Sequence, residues 1–370
     1  MKYININKII ILAGALAMAG AHADDRLSIN GFGYQDYRQA NANQYSGADS
    51  RGSWDNNFLG IVMSGKASDR DTVWAQVQAN STEQTRITWM FLDHRFNDNL
   101  SAHVGRVKFP YGLYNEFIDN KTLQLSAIEP SAYSGAGDMV YDAYNGIGLD
   151  WTSGSLFTQI FAGNVYNPPV PTSPPVCSVV GGCTANPPTA ASIPAHSDRR
   201  LIGGRITWNT PQEGLRFMLS ANGTQGESNV VSPTLGQLYM EERAMLSADY
   251  DIDNLDIKSE FNYHKIPAFS GGTGVISSAW YVQGGYKIGL WTPYARYDNF
   301  KADNRYASDP SYYQKEWVLG VNYKISDNLN ARIEDHFIHG YGLPVGAQET
   351  PLNGGKTNWN MLAAQVNFMF

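Results

Sequence analysis

The chain has 370 residues, of which 43% are hydrophobic and 16% charged, and its 34 acidic and 27 basic residues give a formal net charge of −7 at pH 7. This acidic balance argues against nucleic acid as a partner, because phosphate binding needs a basic stripe. Beyond the N-terminal segment no apolar run is long enough for a membrane-spanning helix, so the sequence predicts no helical span.

The N-terminal segment 1–23 has the features of a secretory signal peptide. Two lysines are its only charges, 9–19 is an apolar run, and 21–23 is a small-residue cleavage site. The apolar run is too short to cross a bilayer. The sequence therefore predicts an exported protein whose single mature domain covers 24–370.

The mature part alternates between apolar and polar residues in segments of about ten, separated by turn residues, which is typical of membrane barrel strands. In 255–266, the clearest segment, Ile257 and Phe261 fall on one face, whereas Lys258 and Glu260 fall on the other. One face suits lipid and the other water, since a strand places alternate side chains on opposite faces. The predicted strands are 27–37, 58–66, 72–80, 85–96, 100–108, 145–152, 155–166, 199–208, 215–224, 238–250, 255–266, 277–288, 290–300, 314–325, 329–338 and 359–370.

The connections between these strands alternate between short turns and mostly longer loops, and the strand number is even. Both features are typical of outer-membrane barrels. A closed barrel leaves no sheet edge exposed to lipid, which an open sheet could not avoid. The predicted fold is therefore all-β, a transmembrane antiparallel β-barrel of about 16 strands.

The inward-facing positions of the predicted strands are polar and charged. The basic ones on the predicted pore wall are Arg216, Arg243, Lys258, Arg296 and Arg332. Such groups must meet water or each other, because burying them dry and unpaired would be very costly. A barrel of this size is wide enough for an aqueous channel, so the sequence predicts a water-filled pore.

The insertion 109–144 combines many apolar residues with Glu116, Asp119 and Glu129, and Lys121 is its only base. Its apolar content favours packing against the protein over projection into water. We expect this third external loop to fold inward and narrow the pore, with its acids facing the basic wall. A surface cap packed over the rim is the alternative.

Two stretches carry a resemblance to a known family. The strand GRVK, which runs into FPYGLYNE at 105–116, resembles the strand-to-loop segment of the porin superfamily of Gram-negative bacteria, particularly the phosphate-selective O/P-type porins. The terminal strand 359–370, which ends on Phe370, resembles the closing strand of outer-membrane barrels.

The resemblance implies an outer-membrane location, contact with outer-membrane lipid, and passive diffusion of small hydrophilic solutes. It also implies that Phe370 is part of the signal read by the barrel-assembly machinery. The phosphate-selective members owe their preference to basic pore residues, whereas this insertion is mostly acidic. We therefore expect small-ion permeation to favour cations. The assembly state, monomer or homotrimer, stays open.

The segment 167–198 is rich in proline and contains Cys177 and Cys183, within CSVVGGC. Proline cannot donate a ladder hydrogen bond, so this segment is not expected in a sheet interior. An exported protein can oxidise such a pair, and we expect a local disulfide, with two free thiols as the alternative.

The competing function is an outer-membrane enzyme barrel, a protease or a phospholipase, with a Ser/His or Asp/His site at its rim. Asp335 and His336 are adjacent in one strand, so they face opposite ways and form no dyad. The histidines beyond the signal peptide show no metal-ligand spacing. The sequence therefore predicts no enzyme activity, no cofactor and no metal.

Overall fold

The computed structural model describes residues 26–43, 45, 48, 50–80, 85–133, 140, 142–165, 176–178, 182–184, 199–228, 237–267, 274–343 and 356–370. The predicted signal peptide lies outside the described residues, as does most of 167–198. Among the described residues, no helix has the length and apolar character needed to cross a membrane.

The described part of the chain is built almost entirely of strands, with four single-turn 3₁₀ helices at Asn115–Phe117, Lys121–Leu123, Ser131–Tyr133 and Asn304–Tyr306. The strands are Leu27–Ala40 (β1), Ser53–Lys66 (β2), Asp71–Ala79 (β3), Arg86–Arg95 (β4), Leu100–Lys108 (β5), Ala143–Ser153 (β6), Leu156–Val165 (β7), Val176–Ser178 (β8), Gly182–Thr184 (β9), Arg199–Asn209 (β10), Leu215–Ser228 (β11), Gln237–Ile252 (β12), Leu255–Ile266 (β13), Val275–Tyr286 (β14), Trp291–Lys301 (β15), Tyr313–Ser326 (β16), Leu329–Gly340 (β17) and Asn358–Met369 (β18).

Sixteen of these strands close into one antiparallel barrel, in which β7 pairs with β10 and β1 pairs with β18. This confirms the predicted fold class and strand number. The largest difference in bounds is at β2, which begins at Ser53 rather than at residue 58. The extra residues, Ser53–Asn57, are mostly polar and pair with the far end of β1, so they carry no apolar alternation for the sequence to reveal.

Side chains along each strand alternate between the outer and the inner face of the barrel wall. On β13, Ile257 and Phe261 are 38% and 47% exposed, whereas Glu260 and Asn262 are 1% and 0% exposed. The apolar face therefore points to the lipid and the polar face points to the barrel interior, as predicted.

The terminal residue closes the barrel seam. The backbone N–H of Gly31 donates to the Phe370 carbonyl at 2.8 Å, and the Phe370 N–H donates back to the Gly31 carbonyl at 2.8 Å. The Phe370 ring is 57% exposed on the outer face and lies directly over Gly31, where an added Cβ would sit 2.1 Å from the ring. Only glycine leaves room for this ring.

We expect Gly31→Val to lower the fraction of folded barrel, because its side chain would displace the Phe370 ring from the seam. The folded fraction is measured by the mobility of unheated and heated protein on a denaturing gel. The matched control is Gly284→Val on β14, where an added Cβ meets no heavy atom within 4 Å. Equal folded yields for the two variants would contradict this role of the seam.

A small hairpin, β8 and β9, stands apart from the barrel sheet. The described strands within 167–198 therefore lie outside the interior of the barrel sheet, as expected, and the prolines lie outside CSVVGGC, where the hairpin forms. Cys177 and Cys183 pair directly across the hairpin. Opposed Cα atoms in antiparallel strands are about 4.5 to 5.5 Å apart, which is within the range that a disulfide spans.

The disulfide remains a prediction, and thiol labelling tests it. We expect the unreduced protein to take up alkylating reagent at neither Cys177 nor Cys183, and to take it up at both after reduction. Mass spectrometry of the labelled peptide distinguishes the two states. Labelling without reductant would mean two free thiols.

Candidate functional site

The connection after β5 is bound to the inner face of one half of the barrel. We call its described part, 109–133, the anchored segment. Its apolar side chains pack with buried residues of the barrel wall into one cluster, which includes Phe109, Tyr111, Leu113, Tyr114, Ile128, Tyr133, Met218, Met245, Ala279 and Tyr281. The inner wall is therefore not wholly polar, and its apolar patch lies where the segment packs.

Two buried carboxylates of the wall hold the tip of the anchored segment through its backbone. Glu334 on β17 accepts hydrogen bonds from the N–H groups of Ala127 and Ile128 at 2.9 and 3.0 Å. Asp298 on β15 accepts one from the N–H of Ser131 at 2.8 Å. A hydrogen bond to a charged group contributes about 1.5 to 3 kcal/mol, so these contacts make a strong attachment.

A third carboxylate, Glu260 on β13, holds both ends of the segment. Its Oε1 accepts from the Leu113 N–H at 2.8 Å, and its Oε2 accepts from the Tyr133 hydroxyl at 2.5 Å. Ser247 and Tyr281 of the neighbouring strands also donate to this carboxylate, at 2.6 and 2.8 Å. Four donors thus replace the water that the buried charge has lost.

Guanidinium groups of the same wall donate to segment carbonyls. Arg332 donates to the carbonyls of Ser126 and Lys121 at 2.7 and 2.8 Å. Arg296 donates to the Ile128 carbonyl at 2.8 Å. The carboxylates of the wall thus accept from backbone N–H groups, and its guanidinium groups donate to backbone carbonyls. Together they satisfy the hydrogen-bonding groups of a segment that has little regular secondary structure.

Gly112 lets the segment approach the wall closely. Its φ is +63°, in the left-handed region that favours glycine, and its carbonyl accepts from Arg205 at 3.2 Å. An added Cβ would lie 2.3 Å from the Met245 sulfur and 2.7 Å from Glu260 Oε1. Any side chain at this position would both strain the backbone and push the segment off the wall.

The predicted loop acids form ion pairs, but not with the predicted partners. Glu116 pairs with Arg205 on β10 at 2.6 Å, and Asp119 pairs with Lys108, at the end of β5, at 2.8 Å. Lys108 also pairs with Asp142. Arg205 and Lys108 were not identified from the sequence, because the placement of an unstructured segment has no local signal.

The third predicted acid, Glu129, pairs with Lys121 inside the segment at 2.7 Å. Burial alone would raise the pKa of Glu129, but the Lys121 ammonium outweighs it and lowers this pKa to about 2. For Glu116 burial dominates, and its pKa is raised in spite of Arg205. Glu129 therefore keeps its charge under acid conditions in which Glu116 loses its own.

The predicted wall bases are also paired, mostly within the wall. Arg216 contacts Asp249 at 2.6 Å, Lys258 contacts the same Asp249 at 3.5 Å, and Arg243 contacts Glu241 at 2.7 Å. Arg296 and Arg332 reach the segment backbone instead of its acids. The loop acids and these bases are therefore each satisfied by nearer groups, and the expectation that they face one another across the pore stays a prediction.

A cavity of about 340 Å³ lies between the anchored segment and the opposite half of the wall, β1–β7. Aromatic rings line much of it, namely Phe32, Trp74, Trp89, Phe91, Phe117, Tyr144, Phe157 and Phe161. Its acidic lining residues are Asp93, Asp98, Glu116, Asp119 and Asp150, and its basic ones are Arg95, His103 and Lys108. The barrel interior is thus divided into a covered half, β10–β18, and an open half, β1–β7.

His103 on β5 stands between two acids of the open half. Its Nδ1 lies 3.1 Å from Asp93, and its Nε2 lies 3.1 Å from Asp150. Phe91 packs edge-on against the imidazole at 5.5 Å. Within the described ranges, no group of three or more His, Cys, Asp or Glu side chains has the arrangement of a metal site.

The comparisons with known proteins agree with this architecture. A sequence profile of the family described as "Phosphate-selective porin O and P" matches residues 34–334. Among curated proteins, none matches the chain at a significant level.

The barrel is similar to the anion-selective porin from Comamonas acidovorans, at 11% identity and a TM-score of 0.60, covering 93% of this chain and 99% of that one. The outer-membrane channel DcaP of Acinetobacter baumannii is 12% identical with a TM-score of 0.59, covering 95% and 100%. The trimer form of OmpT of Vibrio cholerae, folded in vitro, is 10% identical with a TM-score of 0.60, covering 93% and 99%. These likenesses show the fold.

The family profile spans well over half of the chain, and the strands and closed barrel agree with it. This protein belongs to the family of phosphate-selective porins O and P.

Proposed function

We propose that this outer-membrane porin is a passive channel that favours cations, with the anchored segment as its constriction. Small hydrophilic solutes would pass through the open half of the barrel, between the segment and β1–β7. The observation that carries the proposal is the separation of charge between the halves. Most arginines of the covered half are held in hydrogen bonds and ion pairs, whereas most of the charged residues that line the cavity of the open half are acids.

The charge of the cavity argues against phosphate as the preferred solute, although the family is described by that preference. Five acids line the cavity, against three basic residues, Arg95, Lys108 and His103. Arg205, Arg296 and Arg332, which could have bound an anion, are at most 3% exposed and contact segment carbonyls or Glu116. An anion entering the open half would therefore meet net negative charge.

Planar-bilayer recording of the purified barrel tests the channel itself. We expect stepwise current increments in potassium chloride that persist without any added substrate or energy source, because diffusion through a water-filled barrel needs neither. The control is the same preparation after heat denaturation. An intact barrel that gives no steps would contradict the porin function. We propose no catalytic activity.

The assembly and biogenesis of the barrel are proposed by analogy. We propose a homotrimer, by analogy with the trimer form of the Vibrio cholerae protein. Light scattering in detergent should then give a protein mass of three chains.

We also propose that Phe370 acts as an assembly signal. Its deletion should lower folded barrel in cells more than it lowers refolding of the purified protein in detergent. An equal loss of folded barrel in cells and in detergent would mean that Phe370 contributes only through packing.

A further inference from the structure

The cavity of the open half combines aromatic faces with acidic groups in one enclosed space. On β4, Trp89 and Phe91 turn their rings to the cavity at successive inward positions, 5.7 Å apart, and Trp74 joins them from β3. The three rings are only partly buried, so a solute can reach them. Aromatic faces carry negative charge density and attract cations within about 6 Å.

Acids stand on either side of this aromatic wall. Asp93 follows Phe91 at the next inward position of β4, and its side chain is 31% exposed. Asp119 of the anchored segment faces the cavity from the opposite side, with 18% of its side chain exposed. Each has one cationic neighbour, His103 or Lys108, but the acids still outnumber the bases around the cavity.

A polar atom inside the cavity lacks a partner among the described residues. Gln159 on β7 is only 4% exposed, lines the cavity, and its Oε1 accepts no hydrogen bond. Leaving a buried carbonyl oxygen without a donor is unfavourable, so it indicates a place for a donor from outside. The Trp89 indole N–H is likewise without a partner and can serve water or a polar substituent of the same solute.

We propose that this cavity is a binding site for organic cations that carry a flat apolar ring, such as arylalkyl ammonium ions. The ring would stack on Trp74, Trp89 and Phe91, and the charge would lie towards Asp93 and Asp119. Gln159 Oε1 would accept a hydrogen bond from an N–H of a protonated amine or, for a quaternary ammonium, from a water that enters with the solute. The proposal rests on the proposed channel function, because it places the site on the conducting path. A volume of about 340 Å³ accommodates one such molecule.

Three probes separate the contributions of ring and charge. Benzyltrimethylammonium has both ring and positive charge, tetramethylammonium has the charge alone, and benzoate has the ring with the opposite charge. We expect only benzyltrimethylammonium to block the potassium current at low concentration. Equal block by all three, or block by benzoate alone, would overturn the proposal. Block by a neutral disaccharide without block by the aromatic cation would assign the site to sugars instead.

Substitution locates the site. Trp89→Leu and Trp74→Leu should each raise the half-blocking concentration of benzyltrimethylammonium, by about tenfold in the more affected variant. Trp317→Leu is the matched control, because Trp317 is 54% exposed on the lipid face. Unchanged block in both cavity variants would overturn the site. A conducting channel without selective block rejects the site alone, whereas an intact barrel without current rejects the channel function.

Discussion

Replacing Glu334 by Ala is expected to give a channel with a larger and noisier single-channel conductance. The substitution removes the acceptor of two segment N–H groups, at 2.9 and 3.0 Å, and costs the attachment about 3 to 6 kcal/mol. The tip of the anchored segment would then leave the covered half. Conductance steps in planar bilayers measure the result, and the gel-mobility shift confirms that the barrel is closed.

Gly112→Ala tests the same attachment from the segment side. It introduces a Cβ that would lie 2.3 Å from the Met245 sulfur, at a φ of +63°. We expect the single-channel conductance to become larger and noisier, as with Glu334→Ala. The matched control is Glu242→Ala, which removes an exposed carboxylate paired with Lys265 at 3.3 Å, away from the segment. Wild-type conductance in folded Glu334→Ala and Gly112→Ala would contradict the constriction.

Replacing Glu116 by Gln and Asp119 by Asn is expected to reduce the preference for cations. Both substitutions keep the shape of the side chain and remove a charge from the cavity, while Arg205 loses its ion pair with Glu116 and Lys108 keeps only that with Asp142. The reversal potential in a potassium chloride gradient should therefore move towards the anion side. Glu242→Gln is the control, and an unchanged potential in the double variant would mean that the segment does not set selectivity.

Lowering the pH should also reduce the preference of the channel for cations. Burial raises the pKa of Glu116, so this group loses its charge at a higher pH than an ordinary glutamate. The Lys108 ammonium more than offsets the burial of Asp119 and lowers the pKa of that carboxyl. Cation preference should fall as Glu116 protonates, and this early step should be absent in Glu116→Gln.

The strands could be predicted because alternation along the chain is local information. In 255–266 the residues Leu255, Ile257, Phe261 and Tyr263 share one face, which meets the lipid. The aromatic wall is only partly visible in the sequence. Trp74 alternates with Val73 and Ala75, which face outwards, whereas Trp89 and Phe91 follow no such alternation. The register between β3 and β4 shifts near Gln76, and this bulge breaks the two-residue period.

The attachment of the segment could not be predicted residue by residue. Glu260 and Glu334 bind backbone N–H groups that lie 147 and 207 residues away along the chain. A backbone N–H has no sequence signature, so nothing in the segment marks it as the partner of a given carboxylate. For the same reason the ion pair of Glu116 with Arg205 was not identified, since Glu116 reaches Arg205 only after the segment has been placed.

The most direct test of the account asks which half of the barrel conducts. Ser101 on β5 lines the cavity and is partly exposed, whereas Gln283 on β14 is 1% exposed in the covered half and donates to Tyr114. Each is replaced by Cys, one at a time, in a background in which Cys177 and Cys183 are replaced by Ser. A charged, thiol-specific reagent is then added during single-channel recording. We predict that it reduces the conductance of Ser101→Cys and leaves that of Gln283→Cys unchanged. A reduced conductance in Gln283→Cys with none in Ser101→Cys would contradict the account.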